Sequence, residues 1–255
     1  MASSSLLKHI HIGGALFYGP PGTGKTHLSR AVAKASGSSM LAIDSAAVQS
    51  QWVGETEKYI KAAFSLASKL FPCVLFIDEV DSLFYRRSGG DHSWQRTALA
   101  QFLSDMDGLV TTNSAHHKAP FVVVATNRPQ DLDDAFFRRL PQKVSLKLPS
   151  EDARAKILRP FLCEDDLDPL VDVDFLARRT KGYSGSDLRN VCAEDAMIWA
   201  VEQVKTTPKG KKMQRLRLER SHFARALKKI RPTVSRQTLA DLEGYPIQGG
   251  LLAVE

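Results

Sequence analysis

Gly19-Pro20-Pro21-Gly22-Thr23-Gly24-Lys25-Thr26 is the stretch from which the fold of this chain can be read. A glycine, four residues, then glycine, lysine and a hydroxyl residue suit a loop that wraps a phosphate. Gly22 and Gly24 can take backbone angles closed to other residues, so successive N–H groups can turn inward around an anion. A helix starting near Lys25 adds its own unpaired N–H groups and the positive end of its dipole. Lys25 then reaches the β- and γ-phosphates of a nucleotide as a point charge, while the Thr26 hydroxyl suits Mg2+. The candidate cofactor-binding segment is therefore Gly19 to Thr26 with His27 behind it, and the candidate ligand is ATP with Mg2+.

Such a loop needs a strand before it and a helix after it, and both patterns are present. Ala15 to Tyr18 is a short apolar run, and Lys25 to Ser36 reads as a helix. Further apolar runs occur at Met40 to Asp44, Val74 to Asp78, Phe121 to Thr126 and Val144 to Leu148. Helical stretches separate them at Glu55 to Leu70 and roughly Ser93 to Met106. Short Val/Ile/Leu/Phe-rich runs alternating with helices predict a parallel five-stranded sheet covered on both faces. Right-handed crossovers then place ligands at the carboxyl ends of the strands. After Pro149 the strand signals stop. Ser150 with Glu151 and Asp152 reads as a helix start. Helices are expected at about Val173 to Thr180, Ser186 to Val204 and Glu219 to Ile230. The expected organisation is an α/β nucleotide-binding subdomain over 1–149 and a helical subdomain with a C-terminal helix over 150–255.

The bulk numbers agree with a globular protein. The chain has 255 residues, 43% hydrophobic and 25% charged, enough to bury a sizeable core. No run of 18 apolar residues exists to span a bilayer, and the first twelve residues lack the apolar core of a secretory signal. Cys73, Cys163 and Cys192 are odd in number and set in apolar surroundings, which reads as buried free thiols. His116 and His117 stand in a polar loop without nearby acids or cysteines, so they read as exposed rather than metal-binding. Net charge is +7, and Lys205 to Arg236 holds twelve Lys or Arg against the single acid Glu219. That run suits an anionic partner or a solvated helix face. It lacks the interleaved aromatics that would stack on bases, so nucleic acid is disfavoured as a partner.

Asp78 and Glu79 end the Val74 run. With the phosphate loop beside them, Asp78 is placed to hold Mg2+ through its water shell. Glu79 is placed to take a proton from an attacking water. Asn127 ends the Phe121 run. Its neutral amide could orient that water or touch the γ-phosphate, though asparagine at a strand end is commonly a turn former.

Taken in order, these residues resemble the AAA ATPases, a P-loop NTPase fold followed by a small α-helical lid. The second homology region of that family is matched from Ala125 to Leu140, including Phe136-Phe137-Arg138-Arg139-Leu140. The resemblance implies that Arg138 and Arg139 act in trans on a neighbouring subunit's γ-phosphate. Gln51-Trp52-Val53-Gly54-Glu55 is similar to the loop that grips polypeptide in a central pore, which gives Trp52 and Val53 as substrate contacts. Gly182 to Leu188 matches a lid motif whose backbone lies near the nucleotide base and ribose, which gives Gly185 and Ser186. The chain looks most like the meiotic group of katanin, spastin and the endosomal-sorting disassembly ATPase. It is also similar to the membrane-protein dislocase of outer mitochondrial and peroxisomal membranes, most of all in Phe64 to Ala67, Pro72-Cys73, Asp91-His92 and Arg138 to Pro141. The resemblance runs from Gly14 to about Tyr245. It implies ATP hydrolysis with Mg2+, a homo-hexamer, a protein substrate and a location in the cytosol or on the cytosolic face of mitochondria or peroxisomes.

The family carries a further helical segment ahead of the phosphate-loop strand. The expectation is that this sequence lacks it, together with any anchor through which the protein would meet a membrane. Two other readings stay open: a nucleic-acid-associated P-loop ATPase using the basic run, and a nucleotide-binding assembly subunit without turnover.

Overall fold

The computed structural model describes residues 13–45, 55–84, 93–111, 118–162, 168, 171–206, 218–244 and 251–254. Trp52, Val53, Cys163, His116 and His117 lie outside the described residues.

The first part of the chain alternates strand and helix as its apolar runs require. Strands β1 (Gly14–Tyr18), β2 (Ser39–Asp44), β3 (Cys73–Asp78), β4 (Phe121–Thr126) and β5 (Gln142–Leu146) alternate with helices. These helices are α1 (Lys25–Ala35), α2 (Glu55–Lys69), α3 (Val80–Leu83), α4 (Ser93–Thr111) and α5 (Asp134–Arg139). All strand pairs are parallel, in the order β2-β3-β4-β1-β5-β6. The sixth strand, β6 (Leu251–Val254), pairs with β5 at the edge of the sheet. The sheet has a sixth member beyond the five expected, and the chain is not helical to its end. Four consecutive apolar residues, Leu251-Leu252-Ala253-Val254, are the signal for it.

Period-two alternation assigns the core. Leu16, Leu75, Ile77, Val122 and Val124 point to one face, where they meet Ile60 and Phe64 of α2 and Phe102 of α4. Ala15, Phe17, Val74, Phe76, Val123 and Ala125 point to the other, where they meet Ala33 of α1. β2 departs from the expectation of strands covered on both faces. It lies at the sheet edge next to β3 alone, with Ser39, Ala42 and Asp44 exposed. Phe136 of α5 is fully buried, with ring centroids 5.4 Å from both Phe84 and Phe102. That anchor fixes a helix too short to be seen in the hydrophobic pattern.

The chain divides into two compact units: one gathers 1–19, 25–146 and 242–254, the other 20–24 and 147–241. In the second unit α6 (Glu151–Leu158), α7 (Val173–Arg179), α8 (Gly185–Thr206) and α9 (Arg220–Lys229) follow in order. α10 (Arg236–Glu243) comes after them and runs across the boundary drawn at residue 241. Ser150 caps α6 by accepting from the Ala153 N–H. The core of this unit is Leu158, Leu162, Leu176, Leu188, Val191 and Phe223. The buried Arg154 guanidinium donates to the Ala177 carbonyl at 2.8 and 2.9 Å and to the Pro149 carbonyl at 2.9 Å.

Asp195 of α8 is wholly buried, and neither carboxylate oxygen has a hydrogen-bond partner. Burial pushes its pKa up to about 7, against the opposing pull of Arg225. A folded-state value above the unfolded one contributes stability that is complete below the unfolded pKa and lost as pH rises through the folded one. Asp195→Asn is therefore expected to be more stable than the parent at pH 8 by about 1–3 kcal/mol, with the gap closing only at about pH 4. Urea unfolding at the two pH values measures it.

Candidate functional site

The phosphate loop follows β1 and depends on its glycines. Gly19 has φ 148°, and a side chain there would collide with the Leu146 carbonyl. Gly22 has φ 76°, a region that L residues with a Cβ rarely adopt. The Thr23 hydroxyl donates to the Pro20 carbonyl at 2.9 Å. Lys25 opens α1 almost fully buried, and its ammonium donates to the Gly19 carbonyl at 2.9 Å. Burial lowers the Lys25 pKa to about 8, and the nearby Asp78, Asp81 and Glu79 oppose that shift. His27, the third residue of the helix, is exposed.

β3, β4 and β1 are neighbours in the sheet, so Asp78, Asn127 and Gly19 leave adjacent strands at their carboxyl ends. The Thr26 hydroxyl donates to Asp78 Oδ2 at 2.6 Å, across 52 residues of sequence. The Glu79 N–H donates to Asp78 Oδ1 at 3.0 Å. Glu79 itself takes a left-handed conformation, φ 49° and ψ 44°, and is exposed. A non-glycine residue held there carries a local strain of about 1–3 kcal/mol, a pattern common at active sites. Asn127 Oδ1 is buried without a partner. An acceptor left so is costly unless a ligand or water satisfies it.

Asp81 is a participant that the sequence reading did not single out. Its carboxylate accepts from the Thr126 hydroxyl at 2.7 Å, and the Thr126 oxygen accepts from the Arg128 N–H at 2.9 Å. These bonds brace the chain on both sides of Asn127. A third acid three residues after Asp78 was the available signal.

The two arginines of α5 part company. Asp133 caps the helix through the Ala135 N–H, and Phe136 anchors it. Arg138 is exposed. Arg139 grips Asp107 of α4 with two bonds, 2.7 and 2.6 Å, which raise its pKa further.

Within the second unit, Pro20–Gly24 meet the start of α8. The Ser186 N–H donates to the Gly22 carbonyl at 3.2 Å. A Cβ on Gly22 would lie 2.7 Å from Ser184 Oγ, and one on Gly185 would lie 3.2 Å from the Gly22 carbonyl. Gly22, Gly185 and Ser186 are thus brought together. Among the described residues no cluster of three His, Cys, Asp or Glu could hold a metal outside this region or in it. A Mg2+ site here would have to rest on Thr26, Asp78 and the phosphates.

This geometry has counterparts in known proteins. Residues 15–148 match the model of the ATPase family associated with various cellular activities, and residues 171–212 match the AAA+ lid domain. The chain is an AAA ATPase family member. It is 42% identical to spastin of Bos taurus over 233 residues, 89% of this chain and 37% of that protein. It is 36% identical to the outer mitochondrial transmembrane helix translocase of Danio rerio over 230 residues, 90% of this chain and 60% of that protein. The crystal structure of the FIGL-1 AAA domain in complex with ADP superposes with a TM-score of 0.76 at 32% identity, covering 94% of this chain and 79% of that one. The chain thus spans between a third and two thirds of these two curated relatives. Among the described residues, no helix is long and apolar enough to cross a membrane.

In an AAA site the depressed Lys25 pKa has a consequence. Phosphates favour the charged ammonium, so the bound state holds more protons than the free state above pH 8. Nucleotide affinity is expected to be flat below pH 7.5 and to fall by up to about tenfold per pH unit above 8. Calorimetry at pH 9 in buffers of differing ionisation heat is expected to read proton uptake, and uptake of zero would contradict it.

Proposed function

We propose that this chain hydrolyses ATP as one subunit of a homo-hexameric ring and uses the energy to pull polypeptide through the pore. The observation that carries this reading is the 2.6 Å bond between Thr26 and Asp78 beside the buried Lys25. It sets a hydroxyl, a carboxylate and an ammonium at adjacent strand ends, the donor set that a nucleotide with Mg2+ needs. Lys25 holds the terminal phosphates, with Gly19, Pro20, Pro21, Gly22, Thr23, Gly24 and His27 forming the wall around them. Thr26 and Asp78 hold Mg2+, which supplies charge neutralisation at the phosphoryl oxygens. Glu79 accepts the proton of the attacking water, and Asn127 Oδ1 orients that water. Gly185 and Ser186 are assigned to the base and ribose. Arg138 and Arg139 are assigned to the neighbouring subunit's γ-phosphate, and Trp52 and Val53 to the polypeptide.

The relatives named as spastin and as a transmembrane helix translocase support a protein substrate. A location at the outer mitochondrial membrane follows the name of the second of these relatives. A nucleic-acid reading is weakened within α8 and α9. Arg225 pairs with Glu202 at 2.6 Å and Lys229 with Glu194 at 2.8 Å, so part of the basic run is already neutralised.

ATPase rate per subunit against protein concentration tests the assembly. A trans-acting arginine predicts a steep rise, while a nucleotide-binding subunit without turnover stays flat. Trp52→Ala is expected to keep basal hydrolysis within about threefold while stopping substrate processing, since an aromatic grip acts on the polypeptide and not on the phosphates. Equal processing by that variant removes the pore assignment.

A further inference from the structure

We infer that Asp187 and Thr233 form a latch through which the segment after α9 positions the start of α8 against the phosphate loop and thereby governs nucleotide retention. The inference rests on the nucleotide-binding reading of Gly19 to Thr26, and every contact in it lies inside the second unit.

Ser184-Gly185-Ser186-Asp187 opens α8 as a reciprocal cap. The Asp187 N–H donates to Ser184 Oγ at 3.2 Å, and the Ser184 N–H donates to Asp187 Oδ2 at 2.9 Å. A cap of this kind needs only those two bonds. Asp187 makes two more. Its Oδ1 accepts from the Thr233 hydroxyl at 2.9 Å, and its Oδ2 from the Thr233 N–H at 3.3 Å. Asp187 is buried, with 1% of the residue's surface exposed, so these donors satisfy carboxylate oxygens that water does not reach. Tyr183, on the other flank of the cap, donates its hydroxyl to the Ile230 carbonyl at 2.8 Å. That carbonyl comes at the end of α9, where the helix offers it no partner. Residues 230–233 are therefore tied at both ends to the turn that starts α8.

The same turn touches the loop. The second helical position of α8 has a free N–H in an isolated helix, and here that group, on Ser186, donates to the Gly22 carbonyl. Gly22 is packed so closely that a single added carbon would meet Ser184 Oγ at 2.7 Å. The position of the Gly22 backbone therefore follows that of Ser184. Removing the Thr233 hydroxyl leaves the Asp187 carboxylate short of a donor. It then has reason to turn toward water, which loosens the cap and withdraws support from Gly22. Thr233 acts on the phosphate loop through Asp187 and Ser184, so it is a positioning residue.

The test compares the parent chain with Thr233→Val, which keeps the backbone donor and shape but loses the hydroxyl, and with Thr233→Ser, which restores the hydroxyl. Release of a fluorescent ADP analogue is followed by stopped flow, and hydrogen exchange is read at the Ser186 amide. Thr233→Val is expected to release the analogue about five- to thirtyfold faster and to expose the Ser186 amide, with Thr233→Ser within about twofold of the parent. Unchanged release and unchanged Ser186 protection in Thr233→Val overturn the latch. If the parent binds no ADP analogue, the nucleotide reading fails separately, and Ser186 exchange alone decides whether Thr233 holds the turn. A general loss of lid packing would expose α8 throughout and would not be reversed by serine specifically, and that outcome also counts against the latch.

Discussion

Glu79→Gln is expected to lower ATP turnover by about 10²–10⁴-fold while leaving nucleotide affinity within about threefold of the parent. The size of the first effect follows from removing a proton acceptor. The smallness of the second follows from where Glu79 sits. Phosphate and Mg2+ contacts are assigned to Lys25, Thr26 and Asp78, and the Thr26–Asp78 bond does not involve Glu79. Glutamine has the same shape and leaves untouched the backbone bond from residue 79 to Asp78 Oδ1 that shapes the turn. The left-handed conformation at residue 79 is a property of that turn, so glutamine inherits its strain with its position. Turnover within threefold of the parent would remove Glu79 from the chemistry. Weakened binding in step with lost turnover would move it into the nucleotide site instead.

Arg138→Ala is expected to lower turnover by about 10³-fold or more with no measurable loss of thermal stability, whatever the protein concentration. Its side chain is exposed. Arg139→Ala should behave differently. Its guanidinium closes a two-bond pair with Asp107 that is part-exposed on both sides, so its removal costs about 1 kcal/mol of stability. Its effect on turnover then includes a change in how α5 is held against α4. A melt of the two variants beside their turnover separates the roles. Equal melting losses would show that the exposed arginine also supports the fold, and an active Arg138→Ala would remove it from the trans site.

What was legible in the sequence follows from the range over which each signal acts. The strands β1 to β5 announce themselves by local apolar runs, and the phosphate loop by a spacing that few other structures need. The amphipathic helix α2 emerges within a residue of its expected ends, whereas α4 runs on to Thr111 past the expected Met106. α5 does not emerge, because six residues give too little periodicity, and its reason for existing is the burial of Phe136 among rings 34 and 52 positions away in sequence. The pairing of Arg139 with Asp107 spans 32 residues and leaves no local trace. Asp81, in α3, was missed because its partner, Thr126, ends β4, 45 residues further along the chain. β6 was missed because four residues at the end of the chain form a strand only where β5 offers an edge. The Asp187–Thr233 tie, 46 residues long, belongs to the same class. Contacts that the fold brings together from afar are the ones that sequence reading leaves out, and in this protein they are the ones that position the site.

In the proposed ring, one subunit's Glu79 works with another subunit's arginine. Single-turnover hydrolysis of labelled ATP by trace amounts of the parent chain, with excess Glu79→Gln subunits added, tests it directly. Those added subunits cannot turn over ATP themselves but bring Arg138. Hydrolysis on the parent subunits is expected to accelerate by about 10²-fold or more, and to stay at the basal rate when the added subunits also carry Arg138→Ala. Equal acceleration by both, or by neither when both are seen to co-assemble, would contradict it.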